Sequence, residues 1–162
     1  MIIRPATPQD AAAMSDLQNR IICIGGTTAH GVEHDAAYVD AHYISGPGVI
    51  CCHLAEDDSG LIGFQSMGRN EALPEGWGDI GSYVNPDRQR TGAGAALFAA
   101  TLAVARQKRV AVINATIRAD NVPGLGYYSR RGFVDYAHEP DYQLKDGLRV
   151  GRISKRFEVS GV

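Results

Sequence analysis

The 162-residue chain reads as one α/β domain, a mixed sheet flanked by helices with the element order βααβββαβαββ. Three observations predict that class. Short apolar runs rich in β-branched residues alternate with longer segments whose apolar residues recur at helical spacing. A strand, "GDIGSYV" (78–84), leads through the turn "NPDRQRTGAG" (85–94) into the alanine-rich "AALFAATLAVARQK" (95–108), where Phe98, Leu102 and Ala105 form one apolar stripe. The segment "VAVINATI" (110–117) is apolar almost throughout, the pattern of a buried parallel strand.

The remaining elements follow from local signals. "IIRPA" (2–6) is a short strand. "TPQDAAAMSDLQNRII" (7–22) has a threonine cap, an early proline and acid, and apolar Ala12, Leu17 and Ile21, so it reads as a helix. "CIGGTTAHG" breaks it, and "VEHDAAYVDAHYI" (32–44) is the second helix, with Ala37, Ala41 and Ile44 at helical spacing. "VICCHLAE" (49–56) and "LIGFQSMG" (61–68) are strands joined by the turn "DDSG". "NVPGLGYYSRRGF" (121–133) is a short helix ending at Gly132. "VDYAHE" (134–139) and "RVGRISKRF" (149–157) are the last strands, with "KDG" as a turn before the second. There is no linker, repeat or low-complexity segment, and residues 1–162 form a single domain.

Composition excludes several function classes. Sixteen basic and eighteen acidic residues give a net charge of -2, which argues against a nucleic-acid binder. No apolar run approaches the roughly 20 residues that span a bilayer, and "MIIRPATPQD" has no signal-peptide core. Cys23, Cys51 and Cys52 are odd in number and lack a C-x-x-C, so they read as buried thiols in a reducing cytoplasm rather than disulfides or nucleophiles. Charge is unevenly spread. No Lys or Arg lies between Arg20 and Arg69, a window holding Glu33, Asp35, Asp40, Glu56, Asp57 and Asp58. That half of the molecule is suited to a cationic ligand.

The turn between "GDIGSYV" and the alanine-rich helix has the physics of an anion hole. Unpaired N–H groups and the positive end of a helix dipole face it, and Gly92 and Gly94 leave room for close approach. No G-K-[ST] follows, so it is not a P-loop, and Leu97 stands where a dinucleotide fingerprint needs its third glycine.

Gln89-x-x-Gly92-x-Gly94 resembles the Q/R-x-x-G-x-G/A motif of the GNAT superfamily of N-acetyltransferases. A second match lies at the expected distance: Asn121, Tyr128, Gly132 and Phe133 are similar to that family's N-x6-Y-x3-GF segment. The resemblance covers nearly the whole chain and implies a mostly antiparallel sheet whose fourth and fifth strands splay apart. It implies acetyl-coenzyme A as cosubstrate, its pyrophosphate on the backbone of Gln89, Arg90, Thr91, Gly92, Ala93, Gly94 and Ala95, and its pantetheine arm on Tyr83 and Val84. It implies no metal, and family members are often dimers.

In that family the acceptor amine attacks the thioester directly. An amine of pKa about 10.4 is neutral in roughly one molecule in 2,500 at pH 7, against roughly one in ten for an α-amine near pKa 8. Tyr128, by its match, is the expected general acid for the thiolate; neighbouring Tyr127 falls one residue short of the spacing. Asn121 is expected to bond the pantetheine, the backbone, or the start of its own helix as a cap. Asp79 shares a strand face with Gly81 and Tyr83 and is the candidate base, standing near where many family members carry a glutamate one methylene longer. The expected acceptor is a small-molecule amine. The alternative is an inactive acyl-coenzyme A-binding scaffold.

"HGVEH" (30–34) raises a different reading. It matches the H-x-x-E-H pattern of one class of zinc peptidase, which requires both histidines on one helix face. Gly31 inside the motif and the loop-like "GGTTAHG" oppose that. His30 and Glu33 are instead expected to help bind the acceptor.

Overall fold

The computed structural model describes residues 1–28 and 31–161. The chain forms β1 (Ile2–Pro5), α1 (Ala11–Ile24), α2 (Ala36–Val39), β2 (Val49–Asp57), β3 (Gly60–Gly68), β4 (Trp77–Val84), α3 (Ala93–Gln107), β5 (Val112–Arg118), α4 (Val122–Arg130), β6 (Val134–Gln143) and β7 (Arg149–Glu158). The expected element order is the observed one. The seven strands make one sheet in the order β1-β2-β3-β4-β5-β7-β6. Every neighbouring pair is antiparallel except β4 and β5, which run parallel.

Among the described residues three apolar clusters cover the two faces, the smallest joining Ala55, Ile62, Ala93 and Leu97. Met14, Leu17 and Ile21 of α1 bury against Leu54, Phe64 and Tyr83. Phe98 and Ala105 of α3, with Tyr128 of α4, bury against Met67, Ile80, Ile113 and Phe157. Each fully buried side chain such as Phe64 contributes about 2–3 kcal/mol of apolar burial. No helix among the described residues is long and apolar enough to cross a membrane.

Two elements depart from the sequence reading. The second helix begins at Ala36, not residue 32, because Asp35 caps it by accepting the Tyr38 N–H at 2.8 Å. Its last turn, Asp40–Ile44, is π-helical and closes with Ser45 N donating to Asp40 O at 2.8 Å. β6 runs beyond residue 139 to Gln143 despite Pro140. It is an edge strand with a register irregularity between Glu139 and Tyr142, a place where a missing N–H is tolerated.

β4 and β5 pair only from Trp77 and Val112 to Asp79 and Asn114. Beyond that point β4 stays bonded to β3 as far as Val84, and β5 to β7 as far as Arg118. Each strand keeps its outer partner while the two part from each other, leaving a fork in mid-sheet.

Candidate active site

The fork has two walls of different character. Asn85 donates its N–H to Ile62 O at 2.8 Å. Alternation in an antiparallel ladder then pairs Tyr83 and Gly81 with β3 and turns the backbone groups of Ser82 and Val84 toward the gap. Tyr83, expected beside Val84 at the gap, therefore directs its backbone to Phe64, and its ring stacks on the Phe64 ring. Side chains alternate too. Tyr83, with Gly81 and Asp79 at two-residue intervals, faces α1; Ile80 and Ser82 face α3 and α4.

The turn after β4 opens α3. Arg90 and Gly92 both adopt positive φ, 63° and 84°, and curl the backbone toward the helix start. Ala96 N is satisfied by Gly92 O at 3.1 Å, so the N–H groups of Ala93, Gly94 and Ala95 point out of the helix end. The two glycines serve different ends. At Gly92 a Cβ would meet nothing within 4 Å, and the left-handed backbone is the reason for glycine. At Gly94 a Cβ would sit 2.7 Å from Tyr127 Cε2. Space near Gly94 thus belongs to Tyr127, a protein neighbour that the sequence reading did not foresee. Gln89 continues the turn in extended conformation and Thr91 bonds Arg88 O at 3.3 Å. Arg88 is held by Asp57, whereas Arg90 is exposed.

Tyr128 is buried, and its hydroxyl lies 2.9 Å from Ser82 Oγ at the gap. Burial raises its pKa, with the Ser82 hydrogen bond opposing the rise. Tyr127 donates to Gly94 O at 2.7 Å and accepts from Gln65 Nε2 at 3.2 Å. Asp79 sits where the strands part. Its carboxylate accepts from Asn114 Nδ2 at 2.8 Å and Asn70 Nδ2 at 3.0 Å, and Tyr136 donates to the same Asn114 side chain. Asp79 and the Tyr128 hydroxyl thus reach the gap from opposite faces of β4.

Asn121 caps α4 by accepting the Gly124 N–H at 3.0 Å, and it donates to Thr27 O at 2.9 Å. Arg118 reaches Thr28 O at 3.3 Å. These bonds seat Thr27 and Thr28, just after α1, on the far end of β5, beside the fork. Glu33 is exposed and accepts from the Cys23 thiol at 2.8 Å. With His34, Asp35, Asp16 and Asn19 it borders an open cleft of about 470 Å³ that contains no residue of the fork. His30 lies outside the described residues. Gly31–His34 precedes α2, so the helix that a zinc reading of "HGVEH" requires is not formed there. Instead, His34 stacks on Tyr38 and its Nδ1 lies 3.2 Å from Gln18. Burial pushes the Cys51 thiol up to about 11 and Cys52 to about 12, so neither is a thiolate at neutral pH.

Sequence reasoning missed Ser82, Gln65, Asn70 and Asn114. A signal existed for Gln65 and Asn114: one amide inside each of the apolar runs "LIGFQSMG" and "VAVINATI" must find a buried partner.

Residues 22–133 match the model of the acetyltransferase (GNAT) family. The chain belongs to that family. Solved structures share the fold of this GNAT chain over nearly its whole length. The ribosomal-protein-alanine N-acetyltransferase of Brucella melitensis matches with a TM-score of 0.84 at 18% identity, covering 98% of this chain and 99% of that one. The yncA protein of Salmonella typhimurium, solved with its cofactor acetyl-CoA, matches at 0.82 and 20% identity over 99% and 95%. A GCN5-related N-acetyltransferase from Kribbella flavida matches at 0.82 and 18% identity over 97% and 96%. No curated protein matches by sequence. The GNAT fold binds acetyl-CoA, and the fork, with the backbone of Ser82 and Val84 turned toward it and the N-terminus of α3 at its end, fits that molecule.

Proposed function

We infer that this protein transfers an acetyl group from acetyl-CoA to a primary amine of a small-molecule acceptor, by direct attack. One observation carries the reading: the fork opens between Asp79 on one face of β4 and the Ser82–Tyr128 hydroxyls on the other. Acetyl-CoA supplies an activated acetyl thioester. The backbone of Ser82 and Val84 holds the pantetheine arm in the gap. The turn Gln89–Ala95 holds the pyrophosphate on the amides of Ala93, Gly94 and Ala95, with Arg90 adding charge.

The chain's own groups then divide the work. Asp79, fixed by Asn70 and Asn114, attracts the acceptor ammonium and receives its proton. The acceptor nitrogen bonds the acetyl carbon as the C–S bond breaks, and the second proton that the nitrogen sheds passes through solvent, from which the Tyr128 phenolate is reprotonated. Tyr128 gives its phenolic proton to the departing sulfur, on the other face of the strand. No thiol of the protein takes part, consistent with the protonated thiols of partly buried Cys51 and buried Cys52. The stretch between Arg20 and Arg69, free of lysine and arginine, supports a cationic acceptor.

Release of coenzyme A thiol, followed with a panel of amino acids, polyamines and an alanine-terminated peptide, tests the reading. The peptide is included because the Brucella melitensis neighbour is named for acting on a ribosomal-protein alanine. Turnover with a small amine is expected. Turnover with the peptide alone would reassign the acceptor, and thermal stabilisation by acetyl-CoA without any turnover would leave a binding scaffold.

A further inference from the structure

A row of buried polar side chains crosses the sheet beneath α3 and ends at the Tyr128 hydroxyl. Gln65 and Ser82 face each other across β3 and β4. Gln65 Nε2 donates to Ser82 Oγ at 2.7 Å and to Tyr127 Oη at 3.2 Å. Tyr127 Oη donates to Gly94 O at 2.7 Å, and Ser82 Oγ lies 2.9 Å from Tyr128 Oη.

Elimination sets the proton directions at Tyr127 and Gln65, whereas between the Ser82 and Tyr128 hydroxyls the geometry admits either as donor. Gly94 O accepts and never donates, so Tyr127 spends its single proton there. The atom that Gln65 presents to Tyr127 must then be a donor, which fixes its NH2 group on that side and its oxygen on the other. The same NH2 group occupies one lone pair of Ser82 Oγ. Gln65 Oε1 has no hydrogen-bond partner among the described residues, and Gln65 is fully buried. An amide held in this orientation at the expense of its own oxygen is held by the row, not by its surroundings.

We propose that Gln65 and Ser82 are positioning residues for Tyr128: Ser82, accepting from Gln65, donates its one proton to Tyr128 Oη, which leaves the phenolic proton free to aim into the fork. The inference rests on the reading of Tyr128 as the acid for the leaving thiolate. When the phenol has given its proton to the sulfur, the Ser82 hydroxyl remains as a donor to the phenolate oxygen. No bond other than O–H and S–H changes within the row. Ser82 thus has two independent tasks, its backbone at the gap and its side chain on Tyr128, and Ser82→Ala removes the second alone.

A double-mutant cycle with Tyr128→Phe tests the proposal. Ser82→Ala is expected to lower kcat about tenfold, the equivalent of about 1.4 kcal/mol, with little change in KM for acetyl-CoA. Ser82→Thr, which keeps the hydroxyl, is expected to restore most of kcat. In the Tyr128→Phe background, Ser82→Ala is expected to cost less than twofold, because the group it positions is gone. Gln65→Glu, which removes both N–H donors, is expected to repeat the loss and shift the alkaline limb of the kcat profile. It gives a second route should Ser82→Ala fold poorly. Equal losses from Ser82→Ala with and without the Tyr128 hydroxyl would overturn the proposal. So would wild-type kcat in both Ser82→Ala and Gln65→Glu. If Tyr128→Phe itself leaves kcat unchanged, the acid assignment fails first, and the two failures are told apart.

Discussion

Replacing Gly94 by alanine probes the contact that joins the Gln89–Ala95 turn to the helix carrying Tyr128. An added Cβ would stand 2.7 Å from Tyr127 Cε2. The ring edge is the outer part of a side chain, yet it has little freedom. Its hydroxyl is bound to Gly94 O and Gln65 Nε2, and the Arg131 guanidinium lies 5.3 Å from the ring centre. Moving the ring strains a packed site at about 2 kcal/mol and breaks one hydrogen bond at about 1 kcal/mol. Against this, alanine favours the helix by at most about 1 kcal/mol. The net is about 2 kcal/mol, a fall in Tm of about 4–8 °C for a chain of this size. Thermal denaturation of four proteins measures it: wild type, Gly94→Ala, Tyr127→Leu and the double variant. Leucine lacks the ring edge, so Gly94→Ala should be neutral or stabilising in that background. An equal Tm loss with and without the Tyr127 ring would refute the reasoning and return Gly94 to a purely backbone role.

Three further outcomes are expected. Tyr128→Phe should lower kcat by about 100-fold or more while acetyl-CoA affinity by calorimetry changes little, since a general acid acts in the transition state. Arg109 takes positive φ, 57°, at the end of α3, where Val110 N bonds Ala105 O and Arg109 N bonds Arg106 O. Arg109→Gly should therefore raise stability by up to about 1 kcal/mol in urea titration. The Arg4 guanidinium holds the Asp10 carboxyl at about 2, below its ordinary 3.8. A carboxylate with a depressed folded pKa contributes stability that is present above its unfolded value and lost as pH falls through the folded one. Tm should drop between pH about 4 and about 2, and Asp10→Asn should flatten part of that fall.

The strand–turn–helix at one end of the fork was legible as an element because each part carries a local signal. Glycines, apolar periodicity and the spacing from Asn121 to Phe133 are all readable along the chain. What was not legible depends on register. Nothing local says that Ser82 rather than Tyr83 turns its backbone to the gap, because that parity is set by the pairing of β4 with β3. Gly94 illustrates the same limit, as its neighbour Tyr127 is far away in sequence. Asp79 was picked from its strand face, but the Asn70 and Asn114 amides that fix it come from other segments. The start of α2 was misplaced by four residues because "VEHD" offers more than one polar residue that could open a helix, and the structure uses Asp35.

Direct transfer through the fork makes one demand on a single-turnover experiment. Enzyme is mixed with acetyl-CoA, an amine that turns over is added after a delay, and thiol, acetylated amine and intact-protein mass are read together. The account predicts no thiol before the amine arrives, then thiol and acetylated amine in equal amounts, with the protein mass unchanged throughout. Thiol released before the amine together with an acetylated protein would contradict it. So would acetyl-CoA binding with no thiol released by any amine tried.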